Sequence, residues 1–131
     1  MSCFDGRAFI ENLLGGDATY SLGLLDEGFE WVVPGDARFG GGSHRGRDEV
    51  LSFFKEVQKL FPAGLRVDAI REWPSRDGSV VEATLSGTTA SGRPYENRYA
   101  FVIEVRAEKV IAVREYTDTA YAEAILGDQG L

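Results

Sequence analysis

RDEVLSFFKEVQKLFPAGLRVDAIREW, residues 47–73, changes periodicity at its middle, and that change decides the fold class. In the first half Val50, Phe53, Phe54, Val57, Leu60 and Phe61 recur at steps of three and four, the spacing that gathers side chains on one face of an α-helix. Asp48 and Glu49 stand where the positive end of the helix dipole favours acids, and Pro62, with no amide hydrogen to donate, closes the segment. A helix over 47–61 is predicted. Beyond Gly64 the period falls to two. Leu65, Val67, Ala69, Arg71 and Trp73 alternate with Arg66, Asp68, Ile70 and Glu72, as side chains do on the two faces of a strand.

That shorter period persists almost to the end of the chain. Asp77-Gly78 supplies a hairpin turn into a strand over 79–89, residues 90–92 turn again, and 94–106 reads as one long strand. Its residues Tyr95, Asn97, Tyr99, Phe101, Ile103 and Val105 share one face. A turn at 107–109 leads to a strand over 110–117, and a short helix from Asp118 or Thr119 to Leu126 precedes a frayed tail at 127–131. Toward the other end, 4–14 has helical spacing that Gly15-Gly16 stops, and Asp17 is placed to cap a second helix ending near Gly28. Residues 29–33 alternate as a strand terminated by Pro34-Gly35, and 36–45 form a glycine-rich loop. Helices followed by a run of hairpin-linked strands predict an α+β domain, residues 4–126, with helices packed on one face of an antiparallel sheet. Long strands twist and curl, and helices laid across the curl leave room for a pocket between the layers.

The composition narrows the partners. A chain of 131 residues buries enough surface for one core without metal or disulfide staples. Its 14 basic against 21 acidic residues, a formal charge of −7, argue against nucleic acid, whose binders concentrate positive charge. Cys3 stands alone, so no intramolecular disulfide forms, and one His without a close acidic cluster offers too few ligands for a metal. Gly40-Gly41-Gly42 lacks the spacing and Lys of a phosphate loop and reads as a flexible rim, so no cofactor is expected. No apolar run approaches the roughly 18 residues of a membrane span, and the first residues, MSCFDGR, lack a signal peptide's pattern. A cytoplasmic, membrane-free protein is expected.

Three segments carry a family resemblance: WVVPG at 31–35, GRDEVLSFF at 46–54, and NRYAFVIEV at 97–105 with VREYTDT at 113–119. On these the chain resembles the SnoaL-like branch of the nuclear-transport-factor-2-like superfamily, which includes ketosteroid isomerase, scytalone dehydratase and limonene-epoxide hydrolase. The resemblance implies a cone: a curved antiparallel sheet wrapped around the N-terminal helices, enclosing a deep apolar pocket. It also implies which face of each strand looks inward, a choice that parity leaves open. The implied pocket-facing residues are Glu82, Thr84 and Ser86, then Asn97, Tyr99 and Phe101, then Val113, Glu115 and Thr117. The other face then holds Val81, Ala83, Leu85, Ala100 and Val102, apolar enough to predict a homodimer through the outer sheet face.

On that footing Glu115 is the leading catalytic candidate, because burial against apolar walls disfavours a charged carboxyl and moves its pKa toward a working acid–base range. Glu82 in the same cavity would separate the two titrations into an acid and a base. His44, the single His, is a third candidate at the pocket mouth. Asn97 and Tyr99 are expected to bond a developing oxyanion, Phe9, Trp31 and Phe101 to stack on a flat apolar substrate, and Thr84, Val113 and Thr117 to complete the lining. The competing structural readings are a salt-bridged Glu115, with Arg98, Arg106 and Arg114 near in sequence, a surface His44, and Asp118 as a helix cap. The base and oxyanion Tyr of ketosteroid isomerase fall on Val33 and Phe9, and of the acid–Arg–acid set of limonene-epoxide hydrolase, falling on Thr84, Glu82 and Glu115, only the second acid persists. What the resemblance leaves is a cofactor-independent isomerase, cyclase or dehydratase acting by proton transfer on an apolar carbonyl compound. The alternative is a non-catalytic hydrophobic-ligand-binding or dimeric interaction module of the same fold.

Overall fold

The change of period at Gly64 falls between a helix and a strand, as predicted. The computed structural model describes residues 4–33, 35 and 41–127. In chain order these form α1 (Gly6–Gly15), α2 (Thr19–Leu22), β1 (Leu25–Val33), β2 (Gly42–Arg45), α3 (Gly46–Leu60), β3 (Arg66–Ser75), β4 (Gly78–Thr88), β5 (Pro94–Arg106), β6 (Lys109–Thr117) and α4 (Thr119–Leu126). Expectations that fall on Cys3, Pro34, residues 36–40 and residues 128–131 lie outside the described residues. No helix among the described residues is long and apolar enough to cross a membrane.

The six strands make one sheet in the order β2-β1-β6-β5-β4-β3. The meander from β3 to β6 is antiparallel throughout, while β1 joins its far edge parallel to β6. Two segments depart from the sequence reading. The second helix spans only four residues, because the chain turns at Gly23 and Leu24 and the Val110 amide donates to the Leu24 carbonyl at 2.8 Å, drawing Leu25 onward into β1. Residues 42–45, expected within a loop, instead pair with β1 as β2, His44 opposite Trp31. Backbone hydrogen bonding to an open strand edge outweighs the glycine content there.

α1 lies across β3 and β4 and supplies the centre of the core, where Phe9, Ile10, Val81, Ala83, Phe101 and Val113 are fully buried. Asp5 caps the helix by accepting from the Ala8 amide at 2.9 Å. The Gly6 amide donates to Glu72 Oε2 at 2.9 Å, and a Cβ at position 6 would stand 2.7 Å from that oxygen and 2.8 Å from Val81 Cγ2. Glycine is therefore what lets the helix start sit directly on the sheet. At the β3–β4 turn, Gly78 has φ of +153° and packs so closely on β5 that a Cβ would meet the Ile103 carbonyl oxygen at 1.8 Å.

Register assigns the faces. Residues directly opposite in an antiparallel pair share a face, and Val81 lies opposite Phe101, which lies opposite Glu115. Ala83, Tyr99 and Thr117 form the next row, and Leu85 pairs with Asn97. The inner face thus carries the expected residues of β5 and β6, but the opposite set of β4. Glu82 and Thr84 pair with Ala100 and Arg98 on the outer face, with Ser86 beside them. The cause is burial: Val81 and Ala83 are the apolar half of β4, and α1 needs an apolar surface beneath Phe9 and Ile10.

Candidate active site

Toward the α4 side the sealed core gives way to a cavity of about 280 Å³ between α3, α4 and the inner face of the sheet. The step of three and four along α3 turns Phe53, Phe54, Val57 and Leu60 toward it. β1 contributes Trp31, nearly fully buried and edge-on to Phe54 with ring centres 5.3 Å apart. Tyr99 and Phe101, two residues apart on β5, present stacked rings 5.6 Å apart and inclined by 5°. α4 closes the space with Ala122 and Leu126. Its start is held by Asp118, whose carboxylate accepts from the Tyr121 amide at 3.0 Å, so Asp118 is a cap as the structural reading had it.

Glu115 lies in this wall on β6, opposite Phe101. The Trp31 Nε1–H donates to its Oε1 at 2.6 Å. Loss of water among aromatic and aliphatic neighbours pushes the carboxyl up from its ordinary 4.5 to about 7, and the indole bond, which favours the charged form, holds it partly down. Glu115 is therefore poised to gain or lose a proton near neutrality. Its neighbour Arg114 occupies the other face, where it pairs with Glu104 at 2.7 Å rather than with Glu115. Glu123, on exposed α4, is a second carboxylate at the cavity edge.

Beside Glu115 runs a hydrogen-bonded chain. Asn97 Nδ2 donates to Tyr95 Oη at 3.0 Å and to the Asp118 carbonyl at 3.1 Å, and Tyr95 Oη lies 2.7 Å from Tyr99 Oη. Burial raises both phenols, Tyr99 well above 10, and the charge of Glu115 adds to the effect. Both remain protonated donors at neutral pH.

The predicted site residues divide accordingly. Trp31, Tyr99, Phe101, Glu115 and Thr117 line the cavity together. Phe9, on α1, and Val113, on β6, are fully buried in the sealed core instead. Asn97 is buried behind Tyr95 and bonds it, rather than facing the space. Glu82 and Thr84 are on the outer face, so no second acid from β4 joins Glu115. His44 stands in β2, not in a loop, and stacks on Phe53 with ring centres 4.4 Å apart, one layer outside the cavity wall. Tyr95, Glu123 and the α3 phenylalanines were not singled out as site residues. Tyr95 shares the parity of Asn97 and Tyr99, a signal present in the sequence, whereas Glu123 and Phe53 reach the site only through helix docking. Among the described residues no group of three His, Cys, Asp or Glu is placed to hold a metal ion.

Comparison with known proteins agrees with this architecture. The model of the SnoaL-like domain matches residues 6–113. Among solved structures, TerC crystallised with polyporic acid is 21% identical, with 92% of this chain and 94% of that one covered at a TM-score of 0.81. A protein of unknown function from Burkholderia pseudomallei with the nuclear-transport-factor-2-like fold is 20% identical, covering 92% and 95% of the two chains at 0.77. A putative SnoaL-like polyketide cyclase from Jannaschia is 16% identical, covering 96% and 97% at 0.75. No curated protein matches in sequence.

Proposed function

Starting from a chain that belongs to the SnoaL-like family of the nuclear-transport-factor-2-like superfamily, we propose that it is a cofactor-independent enzyme acting by proton transfer next to a carbonyl. The substrate is a flat, apolar small molecule held in the aromatic cavity, and Glu115 is the group that takes and returns the proton. The observation that carries this reading is the Glu115 carboxyl itself, inside an apolar wall, bonded by Trp31 and raised to about 7. A carboxylate with that pKa is a stronger base than a solvated one and still ionises at physiological pH. The neighbour crystallised with polyporic acid supports a small organic ligand in a fold of this kind.

The test is solvent deuterium exchange at the α-carbon of a bicyclic ketone, 2-tetralone, followed by proton NMR. The expected result is catalysed exchange whose rate rises with pH and levels above about 7, as Glu115 loses its proton. Glu115→Gln removes at least a hundredfold of it. Equal exchange by the folded Gln protein overturns the assignment. The displacement of Glu82 from the cavity favours a second reading, a binding module that holds the ligand without turnover. It is distinguished by ligand binding that Glu115→Gln leaves intact, with no exchange by either protein.

A homodimer over the outer sheet face belongs to the same proposal, on a different residue set from that expected. Val81, Ala83 and Leu85 are committed to the core. The outer face offers Val80, Ala100 and Val102 between two half-exposed aromatics, Trp73 and Tyr116. Solution scattering at micromolar concentration is expected to give twice the chain mass, and Trp73→Glu with Tyr116→Glu to give a monomer.

A further inference from the structure

The cavity beside Glu115 shares a wall with a second space. Leu14, Phe54, Val57, Phe61 and Leu65 bound the cavity of about 280 Å³ and also line a groove of about 520 Å³. One layer of side chains therefore separates the two. The groove lies between α3 and the segment that runs from the end of α1 into α2, because α3 packs chiefly on β1 and β2 and makes little contact with either of those helices. Leu51 and Gln58, both on α3, mark roughly 10 Å of its length. Leu13, Ala18, Leu22 and Leu51 give it an apolar lining of its own. Its charged residues are Lys55 from α3 and Asp17 from the opposite side, so the groove carries no net charge. The Asp17 carboxylate is already engaged, accepting from the Thr19 amide at 3.0 Å and from Asn12 Nδ2 at 3.2 Å.

We propose that the ligand spans both spaces, with a flat ketone head beside Glu115 and a saturated, uncharged chain that passes the shared wall into the groove. The roughly 10 Å between Leu51 and Gln58 admits a chain of about six carbons. Size favours this, since the cavity alone lies just under the range of about 300 to 1,000 Å³ usual for organic ligands. Chemistry favours it too. A peptide or other polar chain would lose water against leucine and phenylalanine without gaining partners, and the opposed charges of Lys55 and Asp17 select no ionic group. In the wall, Phe54 is held edge-on by Trp31 and Phe61 is buried against Tyr95, whereas Leu14, Val57 and Leu65 are half-buried aliphatic chains. A rotamer change in Leu14 or Leu65 opens the wall with the backbone unmoved. Glu115 lines the cavity and not the groove, so the chain leads away from the carboxyl. The proposal rests on the reading of the cavity as a carbonyl-compound site and names the side chain that its substrate carries.

The experiment is calorimetric titration of the full chain with acetophenone, butyrophenone and heptanophenone, which share one head and differ in chain length. Burying a methylene strengthens binding about fourfold, so heptanophenone is expected to bind about tenfold or more tightly than butyrophenone. Leu51→Trp fills the groove and is expected to remove that gain while acetophenone binds as before. Gln58→Trp, at an exposed position of α3 on the groove, is expected to reduce the gain and decides alone should Leu51→Trp not fold. Chain length that adds nothing beyond butyrophenone, or a gain that the folded tryptophan variants leave intact, overturns the groove assignment, and the cavity reading stands. Glu115→Gln is expected to keep the gain. A gain that the tryptophan variants remove, in a protein that exchanges no α-carbon proton, supports the groove and overturns the catalytic reading alone. If none of the three ketones binds, groove and cavity fall together.

Discussion

Glu115 and Glu82 lie two strands apart in one sheet, and a single step along β4 separates their situations. Glu115 is in line with Phe101 and Val81 across the inner face, and Glu82 is the residue after Val81. One carboxyl has lost its water to an aromatic wall and bonds an indole. The other stands on the outer face, opposite Arg71 and Ala100. Residue type is the same, so the difference is made entirely by which side of the sheet the helices cover.

The strongest way to break this contrast is to put a charge where the sheet is sealed. Val81→Asp, one residue from Glu82, should cost about 4 kcal/mol or more in urea unfolding, since α1 leaves an acid there neither water nor a partner. A tolerated Asp would mean that α1 does not seal this face.

Next in size is the stability that Glu115 itself withholds. Its folded pKa, about 7, exceeds the ordinary 4.5, so the folded state binds the proton more tightly than the unfolded state does. Stability from this group is complete below about pH 4.5 and is lost as pH rises to about 7, a difference of about 3 kcal/mol. Glu115→Gln should therefore gain relative to the unaltered protein as pH rises through that window, by up to that amount above pH 7. Denaturation series at pH 5 and pH 8 showing the same difference between the two proteins would count against a desolvated Glu115.

Trp31→Phe keeps a ring in the wall but removes the 2.6 Å donor to Glu115. Because that bond favours the charged form, the midpoint of the exchange rate against pH should move upward by roughly one pH unit. A midpoint that stays or falls would show that the indole does not bear on the titration. The smallest effect belongs to Glu82→Gln, expected to change stability by less than about 0.5 kcal/mol and to leave exchange of 2-tetralone unaltered. A large loss of exchange there would return Glu82 to the chemistry.

Much of this is legible in the sequence alone. α3 announces itself through Val50, Phe53, Phe54 and Val57, and β5 runs over the predicted residues because nothing between Pro94 and Arg106 interrupts its alternation. Glu115, Tyr99 and Phe101 are legible because each strand's parity groups them and the family resemblance implies which face of β5 and β6 looks inward. β2 was not legible, since four residues with two glycine neighbours carry no period and owe their strand to the edge that β1 leaves open. Tyr95 shares the inward parity of Tyr99 in the sequence, but its place in the site lies in a bond to Tyr99 four residues away, which appears only once the strand is folded beneath α4.

The sequence by itself determined the periods, and through them the elements, their order and the α+β class, because periodicity is a local property of side chains along one backbone. The face of β4 and the proton affinity of Glu115 were decided by the tertiary structure alone. Parity is symmetric between the two sides of a strand, and only the packing of Phe9 and Ile10 on Val81 breaks that symmetry. A raised carboxyl is likewise no attribute of Glu at position 115. It follows from the water that Trp31, Phe54 and Phe101 exclude, and those three reach the site from three different elements.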